Sequence, residues 1–351
     1  MHNKTYHLIT IGCQMNKSDS ERLASVLERR GYKWTENKYQ ADLVAVNTCG
    51  VRQSAEDRIY GMIPEIKRKN NQAKIVLTGC LVERKDVKRR LKEYVDEWIM
   101  ITDMAEGECG DYLKIIPKYN SKFSAYVPIG NGCDNYCSYC VVPYARGREV
   151  WRTAGDILDE VKGLVKRGYK EIVLIAQNVN SYKSRNSQLA TRNSKTIDFA
   201  DLLKMVNDIT GDFLIRFITS HPKDMSDKLI KTMVNCEKVS REIHLPAQSG
   251  DNQILKKMNR KYTVGHYKTI IKTIRRLMPD AKISTDIIVG FPGETKKQFN
   301  NTIKLFKEIK FDKAYIARYS PRPGTAAFKL ADDVRPAEKK RRWLALNALL
   351  K

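Results

Sequence analysis

No run of eighteen apolar residues occurs in the 351-residue chain, and its first residues, MHNKTYHLITIGC, carry neither a basic start nor a long apolar stretch. The first absence argues against a membrane-spanning helix and the second against a secretory signal, so a cytoplasmic protein with no membrane partner is expected. Acidic side chains are few beside basic ones, 40 against 64, for a formal charge of +24. The deficit is uneven: residues 1–120 hold 21 basic and 17 acidic side chains, and residues 121–351 hold 43 and 23. A surplus of this size in one part of a chain suits phosphate contacts along nucleic acid, with a solvated lysine-rich surface as the plain alternative. Also missing is a fourth cysteine or a histidine close to residues 133–140, where GNGCDNYCSYCVVPYARGRE places Cys133, Cys137 and Cys140. In a reducing compartment the eight cysteines point to metal or catalysis ahead of structural disulfides.

What is present starts with a threefold pattern of apolar strand, cysteine and helix: YHLITIGC to Cys13, ADLVAVNTC to Cys49 and AKIVLTGC to Cys80. Each run is short, β-branched and nearly continuous in its apolar residues, as buried parallel strands are, and an amphipathic stretch follows. In SDSERLASVLERRG, Ser18 or Asp19 is the expected helix cap, Leu23, Val26 and Leu27 the inner stripe, and Gly31 the stop. Strand C-termini in an open parallel sheet share one edge, where ligands bind. Three cysteines so placed can converge, although each could also be a small buried hydrophobe. Cys109 and Cys236 have no such position and read as structural or incidental.

After the stretch IPKYNSKFS the strand pattern starts again with six candidates: AYVPIG, EIVLIAQN, LIRFITS, EIHLPAQ, ISTDIIVGF and KAYIARYS. Helical patterns such as TAGDILDEVKGLVKRG and YKTIIKTIRRLM lie between them. The expected fold is α/β throughout. An N-terminal open parallel α/β sheet domain over residues 1–117 and a linker over 118–124 precede a partial (β/α)6 barrel over 125–340, with 341–351 opening a further linker. Polar residues gather at the expected catalytic rim: Gln177 and Asn178, Ser220 and His221, Gln248 and Ser249, and Gly290 to Glu294. Residues 183–196, KSRNSQLATRNSKT, read as a surface loop.

The spacing CxxxCxxC admits several chemistries. Structural zinc wants four closed ligands, and a CxxC redox pair leaves Cys133 unexplained. An iron–sulfur cube on three thiolates, with one iron open to an exchangeable ligand, suits the spacing best, and the other two remain as alternatives.

Taken together, ITIGCQMNKSDSER, VNTCGVRQSAEDR, LTGC, GCDNYCSYCVVPYARGRE, LIAQNVNSY, IRFITSHP, HLPAQSGDNQILKKMNRKYT, STDIIVGFPGET and YSPRPGT resemble, in order, the motifs of the MiaB-type tRNA methylthiotransferases of the radical S-adenosylmethionine (SAM) superfamily. The resemblance spans nearly the whole chain. It implies that Cys133, Cys137 and Cys140 hold the radical SAM 4Fe-4S cluster, and that Cys13, Cys49 and Cys80 hold an auxiliary 4Fe-4S cluster carrying the sulfur to be inserted. It further implies a methylthio group added to carbon 2 of N6-isopentenyladenosine at tRNA position 37, beside the anticodon. SAM contacts fall near Gln177, Asn178, Gln248, Ser249, Gly290 and Glu294. Position alone makes Arg146, Arg148, Arg318 and Arg322 candidate tRNA contacts. Implied partners are the tRNA anticodon loop, an electron donor such as flavodoxin or ferredoxin, and a sulfur or iron–sulfur carrier protein.

Two departures qualify the resemblance. Family members usually continue into a small TRAM domain, whereas this sequence ends at RPAEKKRRWLALNALLK, and Gly50 stands where the closest subgroup tends to have serine. Related activities on threonylcarbamoyladenosine tRNA or on a ribosomal protein aspartate are the alternatives, the latter disfavoured by GCQMN where that group has GCPKN. A non-enzymatic, metal-containing, basic tRNA-binding module is the alternative of another class.

Overall fold

The computed structural model describes residues 4–105, 111–185 and 196–350. The chain divides into two units, one comprising residues 1–128 and 141–148 and the other 129–140 and 149–351. Cys109 and most of the stretch 183–196 lie outside the described residues.

In the first unit β1 (Thr5–Thr10), β2 (Lys33–Trp34), β3 (Leu43–Thr48), β4 (Lys74–Gly79) and β5 (Glu97–Trp98) form a parallel sheet in the order β2-β1-β3-β4-β5. The three expected strands are its centre. Every residue of β3 is buried, as a strand covered on both faces requires. The outermost strands have only two residues each, which limits the unpaired edge. Helices α1 (Gln14–Arg29), α2 (Gln53–Lys69) and α3 (Lys85–Leu91) provide the cover. Val44, Val46, Ile75 and Leu77 pack with Ile59, Ile63 and Ile66 of α2 and with Val87 and Leu91 of α3. Leu43, Ala45 and Val76 pack with Leu23, Val26 and Leu27 of α1. Period-two alternation along the strands thus feeds two apolar layers, each fully buried Val, Leu or Ile contributing about 1.5–3 kcal/mol. The strand β6 (Ser124–Pro128) and the short helix α4 (Val142–Arg146) complete the unit.

One expectation fails at the start of α1. Ser18 and Asp19 do not cap the helix: it begins at Gln14 with Cys13 in the cap position, and both residues are fully buried inside it. Cap preference is a local effect, and here tertiary partners of Asp19, described below, outweigh it. The stop is as expected, with Gly31 at φ +85° and the Tyr32 N–H donating to Leu27 O at 3.0 Å, the geometry of a Schellman ending.

In the second unit β7 (Gly130–Asn131) and β8 (Val150–Trp151) pair antiparallel and precede a helix and strand alternation. It runs α5 (Ala154–Lys166), β9 (Glu171–Ile175), the hairpin strands β10 (Lys183–Arg185) and β11 (Thr196–Asp198), α6 (Phe199–Asn207), β12 (Leu214–Ile218), α7 (Asp227–Asn235) and β13 (Glu242–His244). It continues through α8 (Asn252–Lys257), α9 (Val264–Leu277), β14 (Lys282–Val289), α10 (Lys296–Ile309), β15 (Lys313–Arg318) and α11 (Pro336–Asn347). β9 pairs in parallel with β12, and β14 in parallel with β13 and β15. Ile215 joins the two ladders: its N–H donates to Lys238 O at 2.7 Å and its carbonyl accepts from Ser240 N at 2.9 Å. Ile129 donates to Ile175 O at 2.9 Å, bringing the start of the cysteine segment beside β9. All strands of the two ladders run the same way, so their C-terminal ends share one edge. The free side of β15 is covered by α11, whose Trp343 indole N–H donates to Ile316 O at 2.9 Å. Among the described residues no helix is long and apolar enough to cross a membrane.

Candidate metal centres and strand-end site

In the first unit Cys49 and Cys80 directly follow β3 and β4, whose last residues, Thr48 and Gly79, are register partners. Cys13 follows β1 by three residues. Its loop is tied to the end of β3 by two amides: Asn16 Nδ2 donates to Asn47 Oδ1 at 2.8 Å and to Thr48 O at 2.9 Å, and Asn47 Nδ2 donates back to Asn16 O at 2.9 Å. The Cys13 thiol donates to Asn16 Oδ1 at 3.2 Å. Glycines let the three loops close on one another. A β-carbon on Gly12 would stand 3.1 Å from Cys49 Cβ, one on Gly50 3.2 Å from Cys80 O, and one on Gly79 2.4 Å from Thr48 O. All three thiols are free. Cys49 and Cys80 are buried; Cys13 is the solvent-open member, yet protein surrounds it closely enough for desolvation to push its thiol up. The same effect, joined by the charge of Cys80, raises Cys49.

Beside these thiols lies a buried ion pair. The Arg146 guanidinium donates to Asp19 Oδ2 at 2.6 Å, their side chains being 3% and 0% exposed, and Tyr112 O–H donates to Asp19 Oδ1 at 2.8 Å. The positive charge of Arg146 acts on Cys13 to favour its thiolate and outweighs the opposing influence of Asp19.

In the second unit the loop Cys133–Cys140 carries three more cysteines, two of them buried. Burial pushes Cys133 up, opposed by an Asn135 Nδ2 contact to its sulfur at 3.5 Å. Arg260, 8% exposed, donates through Nη1 to Cys137 Sγ at 3.4 Å. Among the described residues no three Cys, His, Asp or Glu side chains converge on a single ion. The ligands of a cube would each hold a different iron and have no need to converge so, and a set of three cysteines is what a cube with one open iron asks for.

The shared strand edge of this unit holds buried polar atoms with no partner in the protein: Gln177 Oε1, Asn178 Oδ1 and Asn180 Oδ1 after β9, and Ser220 Oγ after β12. Such atoms cost about 1–3 kcal/mol each unless a ligand or water meets them. Thr219 at φ 72° and Gln248 at φ 64° are backbone outliers at the same edge, of a kind that clusters at functional sites. His221, between them in the chain, accepts from Lys223 N through Nδ1 at 3.2 Å; burial, then Arg260 and Lys223, push its pKa down to about 2, so it is a neutral ring.

The model of the radical SAM superfamily matches residues 127–306, and that of the uncharacterized protein family UPF0004 matches residues 5–100. The tRNA-2-methylthio-N(6)-dimethylallyladenosine synthase of Clostridium novyi is 44% identical over 361 residues, covering 95% of this chain and 78% of that protein. Its counterpart in Thermoanaerobacter sp. (strain X514) is 44% identical over 366 residues, covering 97% and 76%. The chain belongs to the tRNA-2-methylthio-N(6)-dimethylallyladenosine synthase family, within the radical SAM superfamily. Among solved structures, the radical SAM methyltransferase TsrM from Kitasatospora setae aligns with a TM-score of 0.63 at 14% identity, covering 93% of this chain and 75% of that one. The cobalamin-dependent radical SAM enzyme OxsB gives 0.60 at 11%, covering 86% and 51%. These two likenesses concern the fold.

In this member of the synthase family the residues singled out from the sequence fall into distinct settings. Gln177, Asn178, Gln248 and Ser249 stand at the common strand edge, and Asn178 is steadied by donating Nδ2 to Asp224 Oδ2 at 2.7 Å. Gly290 and Glu294 form a closed turn instead of an open one. The Glu294 carboxylate, 3% exposed, accepts from Gly290 N and from Arg342 Nη1, both at 2.7 Å, and Lys339 of α11 packs where a Gly290 side chain would be. Of the four arginines, Arg148 and Arg318 are exposed, whereas Arg146 and Arg322 are buried. The surface position expected for Arg146 is therefore corrected, since its guanidinium is committed to Asp19.

Sequence reading passed over a polar trio on the strands of this unit. His244 bonds Ser284 Oγ through Nδ1 at 3.0 Å and Asp286 Oδ2 through Nε2 at 3.2 Å, and stands edge-on to Tyr315 at 5.8 Å. Asp286 is two residues before Ile288, which packs in one cluster with Tyr139 of the cysteine loop, so this polar trio shares the strand face that carries the loop. The available signal was the placement of Ser284 and Asp286 two residues apart in ISTDIIVGF, on one face of the strand, with the buried Thr285 between them facing the other.

Proposed function

We propose that this chain is a radical SAM tRNA methylthiotransferase that adds a methylthio group to carbon 2 of N6-isopentenyladenosine at position 37 of tRNA. The observation that carries the reading is two separate triads of cysteines in a chain 44% identical, over nearly its whole length, to curated synthases of that modification. Its cofactors are two 4Fe-4S clusters and SAM, with Cys133, Cys137 and Cys140 as ligands of one cluster and Cys13, Cys49 and Cys80 of the other. When bound, these groups supply the radical that takes hydrogen from carbon 2 and the sulfur and methyl group that replace it.

The protein's own part is to bind, orient and exclude water. Gln177, Asn178, Gln248 and Ser249 are assigned to SAM, supported by the partnerless acceptors at that edge, which suit a ligand bearing an ammonium group and ribose hydroxyls. Gly290 and Glu294 are left out of that set because Arg342 and Lys339 already occupy them. Arg148 and Arg318 are assigned to phosphate contacts on the anticodon loop, whose bases are extruded at low cost. Arg146 and Arg322, being buried, are not. Residues 1–117 would serve the sulfur-carrying cluster and 125–340 SAM cleavage, with 118–124 as a connecting segment; residues 341–347, expected to open a linker, instead belong to α11, which packs on β15. Reduction and sulfur replacement call for an electron donor such as flavodoxin or ferredoxin and a sulfur carrier protein, and the setting is the cytoplasm.

Mass spectrometry of tRNA nucleosides from cells with and without the gene tests the reading. The expected outcome is loss of 2-methylthio-N6-isopentenyladenosine with accumulation of N6-isopentenyladenosine. Loss of the threonylcarbamoyl counterpart instead would reassign the substrate, and an unchanged profile would reject tRNA methylthiolation.

A further inference from the structure

The loop Cys133–Cys140 is held from a place in the sequence more than a hundred residues away. Its Ser138 donates from the backbone N–H to Met258 O at 3.0 Å and from Oγ to Lys257 O at 2.8 Å. Asn259 Nδ2 donates to Tyr136 O at 2.9 Å and to Asn135 O at 3.3 Å. Arg260 Nη1 donates to Cys137 Sγ at 3.4 Å. All of these contacts come from the four residues Lys257 to Arg260 at the end of α8, within KMNRKYT, a motif that no step of the proposed reaction uses.

The conformations on both sides are unusual. Tyr136 is at φ 47° and Asn259 at φ 54°. Asparagine adopts that left-handed region readily, but for a bulky tyrosine it is strained and persists only when its surroundings enforce it. The Asn259 amide, bonded to the carbonyls of Asn135 and Tyr136, is such an enforcement. Arg260 is equally fixed: Nε donates to Tyr262 O–H at 3.0 Å and Nη2 to Pro246 O at 3.2 Å, while Tyr262 donates to Ala247 O at 2.8 Å. A full positive charge is thus pinned against one thiol of the triad.

We infer that the turn Met258–Arg260 is the positioning device of the cysteine loop: Asn259 holds the loop backbone in its strained shape, and Arg260 sets the electron affinity of the cluster through Cys137. The inference rests on the reading that Cys133, Cys137 and Cys140 hold a 4Fe-4S cluster. Hydrogen bonds to sulfur and nearby net charge govern the potentials of such clusters, and a fixed cation favours the reduced, more negative state.

The test uses the full chain with Cys13, Cys49 and Cys80 replaced by alanine, so that a single cluster is read. Iron content, iron release to a chelator and the midpoint potential from a redox titration followed by electron paramagnetic resonance are measured. Arg260→Gln is expected to shift the midpoint to more negative potential, and Arg260→Lys, which keeps the charge, to restore most of the shift. Asn259→Gly leaves the left-handed backbone free of strain and deletes only the two amide bonds. It is expected to release iron several-fold faster at an unchanged potential. Because Asn259 is exposed, this variant folds and keeps the inference falsifiable should Arg260→Gln fail to fold. Arg260→Gln with full iron at the parent potential, or Asn259→Gly with the parent release rate, overturns the corresponding half of the inference. A parent that binds no iron overturns the cluster reading beneath it.

Discussion

Asp19 and Arg146 are 127 positions apart and meet at 2.6 Å with almost no exposure. Removing one member strands the other's charge in the interior, at a cost of about 3–5 kcal/mol, whereas replacing both with apolar residues of similar volume is often neutral. Arg146→Met is therefore expected to lower stability by about that amount in urea unfolding, and Asp19→Leu combined with Arg146→Met to recover most of the loss. Additive effects of the two substitutions would show that the pair is not coupled. Neither role was legible from sequence. Ser18 and Asp19 have the chemistry of a helix cap and Arg146 that of a surface cation, and burial by distant partners reversed both. Asn259 and Arg260 escaped notice for the same reason: their contacts are to residues 123 or 124 positions earlier. The cysteines themselves were legible because their spacing and their places after apolar runs are local patterns.

At the scale of elements, β4 ends in Gly79 at φ +89°, directly before Cys80. A β-carbon there would come within 2.4 Å of Thr48 O, a backbone atom of the neighbouring strand that has no freedom to move aside. Gly79→Ala is thus expected to displace the Cys80 turn, and reconstituted protein should fall from about eight irons per chain towards about four. Retention of the full iron content would show that the turn tolerates displacement. The strands that carry both sites were readable because parallel strands buried on both faces are continuous β-branched runs bounded by turn residues. Their pairing was less so. Nothing local marks Ile215 as the junction of two ladders, or α11 as the cover for the free side of β15.

For the whole molecule, charge is the property with the longest reach. Residues 121–351 carry 43 basic and 23 acidic side chains, and neutralising tRNA phosphates with them releases counterions. If about three phosphates of a single-stranded loop are neutralised, affinity should fall roughly twentyfold between 50 and 200 mM salt. Filter binding at several salt concentrations checks this, and Arg148→Ala or Arg318→Ala should each flatten the log–log slope by somewhat under one. A slope unaffected by either change would remove both residues from the contact.

The eight residues 141–148 belong with residues 1–128 although the chain on either side of them does not. The gene consequently has no seam at residue 128: a fragment ending there would keep the Asp19 carboxylate in its interior and leave Arg146, its ion-pair partner, on the discarded piece. An engineered exchange of halves between relatives would have to carry those eight codons along with the first half to keep its ion pair intact.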